Sequence, residues 1–305
     1  MSASSAVSGA VSGVVSCVWP ANAVLGEGTR WSVREQALYW VDILDRHLHR
    51  YRPADGARSS WTFGEEISAV AECHGSPDLL VTLRRGFALF DPARPEVAPR
   101  LLHQPPEEPA GNRFNDGNCD ARGRFWGGTM DFNCVEPTGA LYAYSADGAC
   151  VRHNLRFVVT NGPAWSADGR TIYVNDTAKG CIRCWDFDPD SGAMSRPRLW
   201  LRFAAGDGLP DGLTRDAAGN LWIAHWGGAC VSCHDPVSAA ELARITLPTR
   251  HITNCAFGGP DLRTLYVSSA RFGLTPEQLQ AEPLAGGLFA VAMDVPGVEA
   301  QRFGG

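Results

Sequence analysis

The chain has 305 residues, 45% hydrophobic and 20% charged, enough to bury a core as one large domain or two ordinary ones. Its formal charge of -6 leaves no broad basic surface for phosphates, which argues against a nucleic-acid partner. No stretch approaches the roughly 20 apolar residues of a membrane-spanning helix, so no membrane role is expected and the cytoplasm is the expected compartment.

Residues 1–13, MSASSAVSGAVSG, are small and apolar but carry no Lys or Arg, so they read as a flexible leader rather than a signal peptide. Residues 14–305 read as one domain, with a first strand expected near 14–19. Beyond it, aromatic or aliphatic strand centres recur at Tyr39, Leu80, Trp126, Tyr173, Trp222 and Tyr266, at intervals of 41 to 49 residues. Recurrence at that spacing is the mark of a repeat architecture.

Most centres follow a turn, as in Asp120-Ala-Arg-Gly123 and Asp216-Ala-Ala-Gly219. There Asp caps the turn and Gly takes the positive φ that closes it. Each centre precedes a further strand-like run: HLHRY, FALFD, GALYAYS, CIRCWDFD, CVSCHDP and GLFAVAMD. Helical periodicity is confined to 275–282. Thirty-three Gly and twenty Pro, dispersed without a period, supply the turns that many short strands need. Six repeats of about four antiparallel strands imply an all-β fold, a six-bladed β-propeller, closed by pairing the N-terminal strand with the last blade.

Cys181-Ile-Arg-Cys184 and Cys230-Val-Ser-Cys233 form a nominal CxxC pair. Both lie inside strand-like runs, where residues three apart point to opposite faces and do not share one metal. They are read as buried, reduced thiols, and the other six cysteines show no disulfide spacing either.

Eleven or twelve residues before the centres stand Glu27, Ser68, Asn115, Asn161, Asp211 and Asn254. Equivalent positions in radial blades share one height around one axis. If the innermost strands start there, two carboxylates, three amides and a hydroxyl ring the channel mouth, an oxygen-rich set suited to a hard divalent cation. Asn and Asp also cap turns, so each position alone has a plainer explanation; five polar residues bearing amides or carboxylates out of six in register favour a site.

The segments LGEGTRW (25–31), NRFNDGNCDARGRFWGGTM (112–130), TNGPAWSADGRTIYVNDT (160–177), LPDGLTRDAAGNLWIAHWGG (209–228) and CAFGGPDLRTLYVSSAR (255–271) resemble the family of senescence marker protein 30 (regucalcin), gluconolactonases and related sugar lactonases. The resemblance runs from about Val18 to Met293, in order. It implies a six-bladed propeller with one divalent metal ion (Ca, Zn, Mn, Mg or Fe(II)) held by Glu27, Asn161 and Asp211. It also implies substrate contacts at Arg113 and Asn115, with Glu136 as a further, offset match.

The implied reaction is hydrolysis of a small-molecule sugar lactone, such as a glucono-, xylono- or arabinonolactone, with Asp211 as general base as well as ligand. Bacterial aldono- and pentonolactonases match the late segment PLAGGLFAVAMDVPG better than animal members do. A non-enzymatic calcium-binding regulator and a propeller esterase or organophosphate hydrolase are the alternatives. Asp116 and Asp176 are additional acidic residues near the channel, each read equally well as a structural cap, with His225 and Trp226 at its wall. His225 is read as a satisfied core or rim residue, and the many Trp and Tyr centres as core.

Overall fold

A computed structural model describes residues 13–305. The expected leader therefore lies outside the described residues, apart from Gly13, whose N–H donates to Ala292 O (3.2 Å). Among the described residues, 24 strands form six four-stranded antiparallel sheets. The first strands of blades 1 to 6 are Gly26–Ser32, Ile67–Glu72, Asn112–Cys119, Thr160–Trp165, Leu209–Arg215 and Ile252–Gly258. Each packs against the first strand of the next blade, and blade 6 returns to blade 1, so these strands surround the central channel.

Ser16–Trp19 is the outermost strand of blade 6, pairing with Leu288–Ala292 in the register Ser16↔Ala290 and Cys17↔Phe289. The ring is closed by the N-terminal strand, as expected for a fold that must leave no open edge between first and last blade.

The predicted strand centres lie in the second strands and the runs after them in the third strands of all six blades. Trp40, Trp126 and Trp222 are fully buried, where large aromatic area contributes most to the core. The turn aspartates lock two of these rings in place. Asp120 accepts from the Trp126 indole Nε1 (2.8 Å) and from the Arg122 and Arg124 N–H groups (2.9 and 3.1 Å). Asp216 accepts from Trp222 Nε1 (3.0 Å) and Asn220 N (2.9 Å). In blade 1, Val33 stands at the equivalent position, and the centre Tyr39 instead donates its hydroxyl to Glu35 Oε2 (2.9 Å).

The helical stretch is the short helix Pro276–Ala281, capped by Thr275 and Gln278, each accepting the other's backbone N–H. All ten cysteines are free thiols. Cys181 and Cys184 lie in the third strand of blade 4 (Cys181–Phe187), Cys230 and Cys233 in that of blade 5 (Cys230–His234), and all four are buried. Cys184 and Cys233 belong to different apolar clusters, and burial raises both thiols, Cys233 to about 12, which keeps them protonated and inert.

The chain ends in a strap not anticipated from sequence. Pro296 O accepts from Ala217 N (2.9 Å) in blade 5, Phe303 N donates to Glu72 O (2.8 Å) in blade 2, and Gly304 N donates to Gly123 O (2.9 Å) in blade 3. These partners stand at or just beyond the C-terminal ends of inner strands, so residues 296–304 cross that face of the propeller. Phe303 stacks on Tyr144, with centroids 5.7 Å apart, and fixes the far end of the strap.

Candidate active site

Every inner strand breaks its register at one height: between Glu27 and Arg30, Ile67 and Ala69, Phe114 and Gly117, Asn161 and Ala164, Pro210 and Leu213, and Ile252 and Asn254. A bulge re-aims side chains that regular alternation would send into a neighbouring blade. All six ring positions fall at or inside these bulges, and Glu27, Asp116, Asn161 and Asp211 are each followed by Gly. Gly28 (φ 57°) and Gly162 (φ 83°) take the left-handed conformation, which a side chain would strain.

Glu27, Asp116 and Asp211 are all buried, at 4%, 8% and 4% exposure, and close enough to interact by charge. Burial, followed by the Asp116 charge, raises Glu27. Burial, then Glu27 and then Asp116, raises Asp211 well above the carboxylate range. Burial also raises Asp116, against backbone donors that favour its anion: Gly117 N to Oδ1 (2.8 Å) and Gly162 N to Oδ2 (3.0 Å). Three carboxylates crowded out of water destabilise one another unless a cation lies among them.

One observation tests that fit directly. Asp211 Oδ1 is buried and has no hydrogen-bond partner among the described residues, although its main-chain carbonyl accepts from Asn175 Nδ2. An orphaned anionic oxygen beside two further carboxylates and the Asn161 amide suits a divalent metal ion with oxygen ligands.

The amides form a relay. Arg113 Nη1 donates to Asn115 Oδ1 (2.6 Å) and Phe114 O (3.0 Å), and Asn115 Nδ2 donates to Asn161 Oδ1 (2.8 Å) and Thr160 O (2.9 Å). Asn161 Nδ2 then donates to Thr177 Oγ1 (3.0 Å), whose hydroxyl donates to Pro210 O (2.7 Å) beside Asp211. Thr177 and Asn175 thus fix the ring from behind. Sequence reasoning missed both, since neither occupies the repeating position.

The remaining predicted residues separate clearly. Asn254 joins the cluster, donating from Nδ2 to Asp116 Oδ2 (3.4 Å) and accepting from Thr29 Oγ1 (2.7 Å). Ser68 does not contribute as the ring reading implied, because its hydroxyl is taken by Thr82 Oγ1 of the next strand (2.8 Å). Glu136 is exposed on the 132–138 loop, and its side chain makes no hydrogen bond among the described residues. Asp176 is fully buried, with one oxygen held by Lys179 Nζ (2.9 Å) and the other without a partner among the described residues. His225 is a satisfied interior residue, its Nδ1–H facing Asp207 O (2.7 Å) and its Nε2 the Ser232 hydroxyl (2.6 Å). Burial lowers it to about 4, leaving the ring neutral. Trp226 is half-buried and stacks on His251, with centroids 4.1 Å apart.

A cavity of about 340 Å³ is lined by Asp116 but by neither Glu27 nor Asp211. It begins behind Asp116 and Asn254 and runs toward the strapped face. Lining by itself does not make a cavity the reaction site, and Glu27, Asn161 and Asp211 do not line it.

Residues 25–271 match the model of the SMP-30/Gluconolactonase/LRE-like region. The chain belongs to this family. It is 39% identical to the 6-deoxy-6-sulfogluconolactonase of Pseudomonas putida, covering 95% of this chain and 98% of that one. It is 36% identical to a pentonolactonase of Haloferax volcanii over 81% of each chain. The structure of a calcium-binding protein, regucalcin, from Agrobacterium tumefaciens superimposes with a TM-score of 0.89, at 27% identity over 96% of this chain and 97% of that one. Lactonases are hydrolases of carboxylic esters, and the six-bladed frame is shared across the match.

Proposed function

We propose that this family member hydrolyses a sugar lactone, an aldonolactone, to the aldonic acid, with Glu27, Asn161 and Asp211 holding one divalent metal ion at the near mouth of the channel. The observation that carries this reading is the buried pair Glu27 and Asp211, near Asp116 and the Arg113 guanidinium, with one Asp211 oxygen uncommitted. Lactonase relatives covering nearly the whole chain supply the substrate class.

When bound, the cation supplies Lewis-acid polarisation of the lactone carbonyl and makes a nearby water more acidic. The chain's own residues do the rest. Asp211 accepts a proton from the water that attacks the carbonyl carbon, and returns it to the ring oxygen as the ring C–O bond breaks. Water is thereby divided between a new carboxylic acid and a new hydroxyl. Arg113 spends Nη1 on Asn115 and Phe114, which leaves its Nη2 and Nε donors for substrate oxygens. Asn115, anchored between Arg113 and Asn161, fixes the height at which those oxygens are held.

Asp116 stands behind Glu27 and Asp211 rather than facing substrate, since the Gly117, Gly162 and Asn254 donors already occupy its oxygens. Glu136 is proposed only as a contact reached by movement of its loop. The test is Asp211→Ala assayed at saturating metal. An enzyme loses turnover, whereas a calcium-binding regulator loses metal affinity alone and never shows ring opening above the spontaneous rate.

A further inference from the structure

The cavity behind the carboxylates differs in charge from the mouth. Inner-strand residues beyond the bulges line it: Arg30 of blade 1, Asn118 of blade 3 and Arg215 of blade 5, with residues 298–301 of the C-terminal strap across its outer end. Arg30 is nine-tenths buried, at 9% exposure. A guanidinium has five N–H donors. Among the described residues Arg30 places two of them, Nη1 on Asn118 Oδ1 (2.8 Å) and Nη2 on Gly117 O (3.4 Å), and its buried Nε has no acceptor. Arg215 is half-buried and makes no side-chain hydrogen bond or ion pair among the described residues.

The carboxylates that line the same space are already engaged. Asp116 accepts from Gly117, Gly162 and Asn254. Asp168 accepts from Ser166 Oγ (2.6 Å) and Arg170 N (3.0 Å), and Glu299 pairs with Arg302 (2.8 Å). Two guanidinium groups therefore stand in a walled space with donors left over. Arg is seldom buried unless paired, and its planar fork matches oxyanions. A volume near 340 Å³ is at the small end of ordinary ligand pockets, about 300–1,000 Å³, and suits a compact ligand.

We propose that this second cavity, beneath the C-terminal strap and opposite the metal end, is a binding site for a small oxyanion, either inorganic phosphate or the carboxylate of a sugar acid, held by Arg30 and Arg215. Asp116 lines this cavity and interacts by charge with Glu27 and Asp211, so an anion drawn to Arg30 is felt electrostatically at the metal end.

Trp31 and Trp165 line the cavity and report on it. The metal-loaded full chain is titrated with sodium phosphate and, separately, with sodium gluconate at constant ionic strength, and read by tryptophan fluorescence and calorimetry. Saturable binding of either anion is expected, and which one binds identifies the source. Affinity falls about tenfold or more in Arg30→Gln and in Arg215→Gln, as expected for loss of a charge-assisted hydrogen bond. Arg215→Gln keeps its lactone turnover. Should Arg30→Gln fail to fold, the half-buried Arg215→Gln decides alone.

No saturable binding of either anion, or undiminished affinity in Arg215→Gln, overturns the assignment. Binding abolished by Arg113→Met instead also overturns it, because the anion would then sit at the near mouth. Ring opening is measured on the same samples. Lost anion binding with intact turnover removes this site alone, and absent turnover with intact anion binding removes only the lactonase reading.

Discussion

Asp211, near the start of the blade 5 inner strand Leu209–Arg215, and Asp216, just past its end, are both hidden, at 4% and 1% exposure. Asp216 faces the turn and has both oxygens filled, by Asn220 N and Nδ2 and by the Trp222 indole. Asp211 faces the channel, keeps one oxygen without a donor, and meets two more carboxylates. The same side chain at the same depth is scaffold where its hydrogen-bonding capacity is spent and, in the proposed function, a metal ligand where it is open. Burial alone therefore says nothing about role; satisfaction does.

The largest expected break in that comparison is Asp211→Ala. Turnover should fall by roughly 10³-fold even at saturating metal, in line with loss of a general base that also serves as ligand. The metal-free variant should melt no lower than the metal-free parent, because a repelling buried carboxylate has been removed. Steady-state kinetics and calorimetry check both halves.

Asp216→Ala should do the opposite, costing about 3 kcal/mol of stability by leaving the Trp222 indole and a turn N–H unpaired, with kcat kept in the folded fraction. Urea unfolding beside kinetics measures it. Chelation comes next. Removing the metal should lower stability by about 2.7 kcal/mol at a metal concentration one hundred times Kd, and this loss should vanish in Asp211→Asn. Thermal melts with and without chelator decide. The smallest effect is Arg113→Met, where KM for the lactone should rise about tenfold with a lesser change in kcat, as fits loss of one charged hydrogen bond to substrate.

The legible part of the sequence was whatever the repeat writes locally. Asp120 with Trp126 and Asp216 with Trp222 combine turn and core in six residues, so blade number and strand order follow from spacing. Glu27, Asn161 and Asp211 were reachable because each occupies the same step of its blade, just before a Gly. Asp116 was ambiguous, since Asn-Asp-Gly reads equally as a turn cap; only the approach of blades 1, 3 and 5 shows its company.

Thr177 and Asn175 act across blades, and no local pattern announces such contacts. The strap at 296–304 has neither strand alternation nor helical period, so its path depends on backbone partners in blades 2, 3 and 5. Arg30 shows the deeper obstacle. It is three residues from Glu27, and strict alternation would send the two to opposite faces, but the bulge between them resets that parity and turns both to the channel.

The most direct test of the central claim is initial-rate ring opening on a panel of pentono- and hexonolactones, run with metal analysis of the same sample. The account predicts acceleration over the spontaneous rate for at least one lactone, with about one divalent metal ion per chain and loss of both rate and metal on chelation. Metal-loaded, folded protein that accelerates none of them would contradict it.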